Sequence, residues 1–403
     1  MSPLQIPLVV KFGGTSVGDG ACFARAARIA AVASGDRPVV VVVSAMVGTT
    51  DVLLRRARMA VGLPHEESVA DLHGTLAERH LRAAGEAVAA ERLPAVEERV
   101  LGLLAELVEA IEAPFTNPKA RRDRIAVYGE RLSAEIMAGA IASQGAPASA
   151  VAEDPIATDA NFCEAEVDAA ATSERCARYV DPLLDRGLVA VVPGYVGRSP
   201  GGVPTTLGRG GSDLSATVLG RALGSGEVWI MTDVDGVLDA DPRLVPDAAL
   251  MPRLSYREAG TFAGLGAKVL HPRTMEPASE ARIEVFVRNT FAPEGAGTRV
   301  TGFDPGAGVR CVALRPHVPV EIPCTDGRES YAAMVVCIGS PNDEDLARGR
   351  RCLREAGISP LHFGIAAAGL VYLIPARDGV EALRSLHAGL IPPDAGYAGE
   401  EVA

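Results

Sequence analysis

The sequence predicts an α/β chain, with a mainly parallel sheet between helix layers followed by a small α+β module of ferredoxin-like pattern. Three observations predict it. Continuous apolar runs such as Val39–Val43 alternate with amphipathic helical stretches through residues 1–300, as strands buried on both faces do. Glycine-rich and polar loops follow those runs directly, where open α/β sheets hold their ligands. A Pro/Gly stretch, GFDPGAG at 302–308, then introduces a shorter β-α-β-β-α pattern.

The elements can be taken in order. Residues 6–12, IPLVVKF, read as a buried first strand, followed by GGTSVGDG and a helix from about Ala21 to Ser34. This is not a P-loop, because its lysine precedes the glycines. Lys11 at the strand end can reach a phosphate lying over Gly13 and Gly14. VVVVVSA (39–45) is a second buried strand, and Thr49, Thr50 and Asp51 can cap the helix after it. From about Thr50 to Glu112 the pattern gives two or three long helices with a solvated charged face. GERLSAEIMAGAIASQG opens a further helix with Glu130 in its first turn, where a carboxylate also suits the helix dipole. Ala146–Val151 and the run LVAVVP, ending at Pro193, read as strands, Glu153–Asn161 as a polar loop, and GYVGRSPGGVP as a long mobile loop. After TDVDG come a helix, a Gly-broken loop with Lys268, another helix, and strands at 283–290 and 297–300.

Composition narrows the function. The chain has 403 residues, 48% of them hydrophobic but only 4% aromatic, so its core must rest on Ala, Val and Leu. A net charge of −12 argues against nucleic acid or an anionic membrane surface as partner, so an anionic ligand needs a local site. Seven scattered cysteines without a CxxC pair read as reduced thiols of a cytoplasmic protein, and no His/Cys cluster has zinc spacing. No run is long enough to span a bilayer. Of 39 basic residues only Lys11, Lys119 and Lys268 are lysines. A chain that uses arginine elsewhere keeps lysine where a compact ammonium is needed, which favours roles for Lys11 and Lys268; Lys119, in TNPKARRD, reads as solvated.

The stretch from Thr205 to Arg243 is the richest in chemistry. GRGGSD at 208–213 is a glycine turn opening a helix, so it presents backbone N–H groups and the positive dipole end to an anion. Arg209 adds a fork suited to a carboxylate or phosphate. Asp213 belongs in such a site only if it orients a cation, either a metal ion or a lysine. EVWIM is then a short strand ending in TDVDG, which places Thr232, Asp233 and Asp235 beyond a carboxyl end, with Arg243 after a proline turn.

KFGGTSVG, SAM…TTD…LL, GERLSA, TTLGRGGSD, TDVDGV…DPR and GAKVLHP, in this order and spacing, resemble the aspartokinases of the amino-acid kinase fold across residues 8–300. The resemblance implies a catalytic domain over 1–301 that uses ATP, with Mg²⁺ carried by the nucleotide rather than by direct protein ligands, to phosphorylate the β-carboxylate of L-aspartate. It implies that Lys11, Gly13 and Gly14 contact the transferring phosphoryl group, and that Lys11, Asp213 and Lys268 are catalytic. Thr50, Glu130, Tyr195, Arg209 and Ser212 would hold aspartate, with Arg209 on its α-carboxylate and Glu130 on its ammonium. Thr232, Asp233, Arg243 and Lys268 would hold the nucleotide. A carboxylate acceptor is already ionised at neutral pH, so the chemistry needs positioned charge rather than a general base.

The chain departs from the family in places. Leu238 stands where an aromatic is usual and Tyr195 where phenylalanine is common. The family carries two ACT modules, but residues 309–403 have room for one, a single ACT-like domain whose HFGIAAAG lacks the usual polar residues. That implies a homodimer or higher homo-oligomer without lysine or threonine feedback. Two alternatives stand beside this reading: a kinase for another amino-acid carboxylate, and a non-catalytic nucleotide-binding subunit. The set Thr50, Glu130 and Arg209 argues against the first, and retention of Lys11, Asp213 and Lys268 against the second.

Overall fold

A computed structural model of the chain describes residues 6–58, 66–265, 271–303, 306–320, 330–366 and 369–391. In order, its elements begin with β1 (Leu8–Phe12), α1 (Gly20–Ala33), β2 (Val39–Val43), α2 (Thr49–Arg58), α3 (Glu66–Ala87), α4 (Leu93–Glu112), α5 (Pro118–Ala126) and α6 (Tyr128–Ser143). They continue with β3 (Ala148–Ala150), α7 (Ala169–Tyr179), α8 (Asp181–Leu184), β4 (Val189–Pro193), β5 (Val196–Arg198), β6 (Pro204–Thr206), α9 (Gly211–Ala222) and β7 (Glu227–Thr232). After these come β8 (Arg253–Ser255), α10 (Tyr256–Gly264), α11 (Pro272–Ala281), β9 (Glu284–Asn289) and β10 (Thr298–Thr301). The last six are β11 (Gly308–Val320), β12 (Ser330–Ser340), α12 (Asp343–Glu355), β13 (His362–Ala366), β14 (Gly369–Pro375) and α13 (Gly379–Leu390). Among the described residues no helix is long and apolar enough to cross a membrane.

The chain divides into two compact units, the larger running to Val234 and including Glu276–Gly295. Its strands run β3-β4-β2-β1-β7-β9, every pair parallel. β1, β2 and β4 are buried along their whole length, which only a sheet covered on both faces allows. The core gathers aliphatic side chains such as Leu8, Val41, Leu104, Leu132 and Ile136 around Phe12 and Phe23, as the scarcity of aromatics requires. Local chemistry sets the helix starts: Asp19 accepts the Cys22 N–H before α1, and Asn117 caps α5 ahead of Pro118. Because the strands are parallel, the loops after β1, β2, β4 and β7 leave from one edge of the sheet. The expected mobile loop GYVGRSPGGVP is instead a hairpin, β5 against β6, closed by Ser199 donating to the Val203 carbonyl at 3.0 Å.

The second unit holds Asp235–Met275 and the residues from Ala296 onward. It contains the parallel pair β8–β10 and an antiparallel sheet in the order β11-β12-β14-β13. The β-α-β-β-α pattern appears as β12-α12-β13-β14-α13, with α12 opened by an Asn342–Asp345 capping box. One further strand lies outside that pattern. Residues 308–320, beginning inside the expected linker, form β11 beside β12 and complete the four-stranded sheet. Pro316 and Pro319 break the sequence signal, and the ladder has a bulge between Arg315 and Val318; an edge strand tolerates both. Ala240 and Val245, from the segment after TDVDG, join this unit's core with Val312, Leu353, Tyr372 and Leu386. Six cysteines are described and all are free thiols; Cys163, Cys176, Cys311 and Cys337 are buried. Cys324 lies outside the described residues.

Candidate active site

The turn before α9 is built by glycine. Gly208 and Gly210 lie at φ +77° and +70°, in the left-handed region that side chains disfavour. Gly211 must lack a side chain for another reason: a Cβ there would stand 2.6 Å from Cδ2 of Tyr195. The chain can therefore turn sharply into the helix and keep its first N–H groups open, with Asp213 in the first turn.

Asp213 meets Lys11. The Lys11 ammonium lies 2.5 Å from Asp213 Oδ1, and both side chains are largely buried. Of the two cations left open by the sequence, the structure supplies the lysine. Lys11 sits in β1 between Val42 of β2 and Ile230 of β7, so the sheet register fixes where its side chain starts. The loop after it passes close to its neighbours. Gly13 N–H donates to the Met231 carbonyl at 3.1 Å, and a Cβ on Gly14 would stand 3.1 Å from the Ala45 carbonyl oxygen. A Cβ on Gly13 would lie 3.4 Å from the Lys11 ammonium.

Glu130 is the second ionisable centre. It stands in the first turn of α6 and is only 3% exposed. Burial pushes its carboxyl up to about 8, against the opposing pull of the backbone N–H groups of Ala45 and of Glu130 itself. Its Oε2 has no hydrogen-bond partner among the described residues. Oε2 is therefore an acceptor held out of water without a donor, which is costly unless a ligand supplies one. Gly129 allows this close seat, since a Cβ there would lie 2.9 Å from the Ala45 Cβ.

A cleft of about 1470 Å³ within the larger unit brings these groups together. Its walls include Lys11, Gly13, Gly14, Thr50, Glu130, Tyr195, Arg209, Ser212, Asp213 and Thr232. Arg209 is exposed on the wall and makes no ion pair among the described residues. Asp233 is exposed beside Thr232, whose hydroxyl donates to it at 3.2 Å. Arg243 belongs to the other unit and is held bidentately by Asp241, at 2.9 and 2.6 Å. Lys268 lies outside the described residues. Among the described residues, no group of three or more acidic, histidine or cysteine side chains is arranged to hold a metal ion.

Sequence reasoning missed one wall. Phe115, Lys119, Arg121, Arg122, Phe162 and Cys163 also line the cleft. Lys119 in TNPKARRD reads as solvated and is exposed, but α5 turns this segment toward the site. Arg121 is buried over the Phe115 ring, 4.4 Å from its centroid. No local signal marks this wall, because the burial of Asp123 among basic residues appears only in the folded chain.

Comparison with known proteins agrees with this architecture. Residues 7–289 match the amino acid kinase family. The chain is 35% identical over 303 residues to Aspartokinase 2, chloroplastic, of Arabidopsis thaliana, covering 74% of this chain and 55% of that protein. It is 32% identical over 359 residues to an aspartokinase of Chlamydia muridarum, covering 88% of this chain and 75% of the relative. It thus spans about half the length of the plant relatives it matches. Among solved structures, E. coli aspartokinase III in complex with lysine and aspartate superposes with a TM-score of 0.80 at 26% identity, covering 96% of this chain and 99% of that one. The same enzyme in complex with aspartate and ADP gives 0.78 at 25% identity, covering 96% and 100%. With its parallel sheet, its glycine-turn helix and this cleft, the chain belongs to the amino acid kinase family and, within it, to the aspartokinases.

Proposed function

We propose that this chain transfers the γ-phosphoryl group of ATP to the β-carboxylate of L-aspartate, releasing ADP and 4-phospho-L-aspartate. The observation that carries the reading is the buried Glu130, whose Oε2 has no donor among the described residues, in the same cleft as Arg209 and the Lys11–Asp213 pair. An α-amino acid brings an ammonium for Glu130 and an α-carboxylate for Arg209, and these two contacts orient its side-chain carboxylate. Ser212 and Thr50 add hydroxyls to the same wall, and the Tyr195 ring closes it.

The acceptor oxygen forms a bond to the γ-phosphorus as the bond to the β,γ-bridging oxygen breaks, and that oxygen leaves with ADP. Lys11 neutralises charge on the moving group, and Asp213 holds its ammonium in place. Gly13 and Gly14 let the phosphates approach the backbone. Mg²⁺, carried in by ATP, offsets phosphate charge. Thr232 and Asp233, with Arg243 and Lys268 from the later motifs, are assigned to the nucleotide. The same reading places the catalytic domain at 1–301 and a single ACT-like domain at 309–403, in a cytoplasmic homodimer or higher homo-oligomer.

The test is an ATP-dependent hydroxamate assay across aspartate, glutamate and their N-acyl derivatives. Aspartate should turn over, and N-acetylaspartate, which has no ammonium for Glu130, should not. A preference for glutamate or for an N-acyl acceptor overturns the assignment.

A further inference from the structure

Asp123 lies in α5 with no exposed surface. No cation pairs with it among the described residues, and burial raises its carboxyl above the usual range while the hydrogen bonds of Cys163 and Thr206 oppose that shift. Its partners are three neutral donors. Oδ2 accepts the backbone N–H of Cys163 at 2.7 Å and of Thr206 at 2.9 Å, and Oδ1 accepts the Thr206 hydroxyl at 2.7 Å. These donors belong to two separate segments of chain. Cys163 follows Phe162 in a turn where Cys163 itself takes a left-handed φ of +78°. Thr206 ends β6, two residues before the Gly208 turn.

The chain of contacts continues into the cleft. The Thr206 hydroxyl donates to Asp123, and the next residue, Leu207, donates its N–H to the Tyr195 carbonyl at 3.0 Å. Tyr195 also has a left-handed backbone, φ +66°, fixed by its N–H to Ser215 Oγ at 2.9 Å and its carbonyl to Leu207 N–H at 3.0 Å. A left-handed tyrosine persists only where its surroundings over-determine it. One carboxylate thus ties the turn at Cys163 to the lead into Gly208–Asp213, and through Leu207 that lead holds the Tyr195 backbone.

We infer that Asp123 is a positioning residue for the acceptor half of the cleft, acting through Thr206 on Tyr195. The inference rests on the proposed phosphorylation of an amino-acid carboxylate but assigns a residue which that reading does not use. Asp123→Asn is the sharpest probe. It keeps size and shape, but its amide donates where the carboxylate accepted, which reverses the Thr206 hydrogen bond and disturbs the link to Tyr195.

In the full-length protein, kcat and KM for aspartate and for ATP should be measured in D123N, T206V, T206S, Y195F and the D123N/Y195F double variant. D123N should raise KM for aspartate about tenfold, or about 1.4 kcal/mol, and leave KM for ATP within about twofold. T206V and Y195F should shift KM for aspartate in the same direction and T206S should stay near wild type. The double variant should add little to D123N, because both loosen the same wall of the cleft. A folded D123N with unchanged KM for aspartate, or with equal changes for both substrates, overturns the inference. If D123N does not fold, a T206V variant indistinguishable from T206S overturns it instead. Wild-type protein inert toward aspartate defeats the functional reading alone; the variants are then compared with the acceptor that the hydroxamate panel identifies. Amide exchange at Cys163 and Thr206 needs no acceptor, and unchanged protection there in D123N overturns the inference by itself.

Discussion

Lys11 shows how much one side chain's shape decides. Its compact ammonium meets Asp213 at the cleft wall, a point charge that a planar, delocalised guanidinium does not reproduce. Lys11→Arg should lower kcat by more than tenfold while the melting temperature stays within a few degrees; a kcat within about tenfold of wild type, or about 1.4 kcal/mol, removes Lys11 from the phosphoryl site. Glu130 makes a prediction with a sign. Its folded-state value of about 8 lies above its ordinary 4.5, so the folded protein binds this proton more tightly than the unfolded chain does. The stability it contributes is present below pH 4.5 and is lost as pH rises toward 8. Glu130→Gln should flatten that part of a stability–pH profile. Aspartate needs the ionised form, so KM for aspartate should rise as pH falls below about 8. In the glutamine variant KM for aspartate should be high and nearly independent of pH, and KM for ATP should be little changed. A wild-type KM for aspartate that is flat from pH 6 to 9 rejects the ammonium role.

At the level of elements, the site depends on how closely the start of α9 approaches Tyr195. Gly211→Ala puts a methyl 2.6 Å from the Tyr195 ring and 3.2 Å from the Leu207 Cβ. Neither neighbour is free to retreat, because the Tyr195 backbone is bound to both Ser215 and Leu207. The variant should lose about 1–3 kcal/mol of stability, the usual cost of overpacking, and KM for aspartate should rise with it. Urea unfolding together with initial rates would check both, and an alanine variant with wild-type stability and KM would mean that the turn relaxes freely. The hairpin β5–β6 makes the same point. A segment rich in Gly and Pro looks mobile, yet it is paired, and its last residue carries the Thr206 contact to Asp123.

At the scale of the whole chain, the second unit has its own four-stranded sheet and a core that includes Ala240 and Val245 from the segment preceding and following Arg243. Val312 N–H donates to the Asp239 carbonyl at 2.7 Å, and His387 meets the Asp239 carboxylate at 3.0 Å. These contacts suit a scaffold. β13 offers His362, Phe363, Gly364, Ile365 and Ala366, while Ala367 and Ala368 lie outside the described residues. A zwitterion seated on such a strand would lack partners for its charged groups. Phosphoryl transfer should therefore be unaffected by lysine, threonine or their mixture, titrated to about a hundred times a micromolar Kd, where a specific ligand would saturate. A saturating inhibition curve would show that an effector site survives in this unit.

The sequence by itself determined the alternating parallel sheet, because valine runs buried on both faces have no other stable use, and it determined most of the cleft, because Gly208, Gly210, Lys11 and Glu130 stand in motifs whose local chemistry is legible. It could not show what Asp123 does, since its three donors lie 40 and 83 positions away along the chain. Nor could it choose between a metal ion and Lys11 as the partner of Asp213, 202 positions from that lysine, because only the register of β1 against β7 and the packing of α9 bring the two together. The same holds for β11: its prolines argue against a strand locally, and only its place at a sheet edge makes them harmless. Periodicity and turn chemistry act between near neighbours and are written in the sequence. Pairings between distant segments are decided by which buried donors and acceptors the folded chain brings within reach of one another.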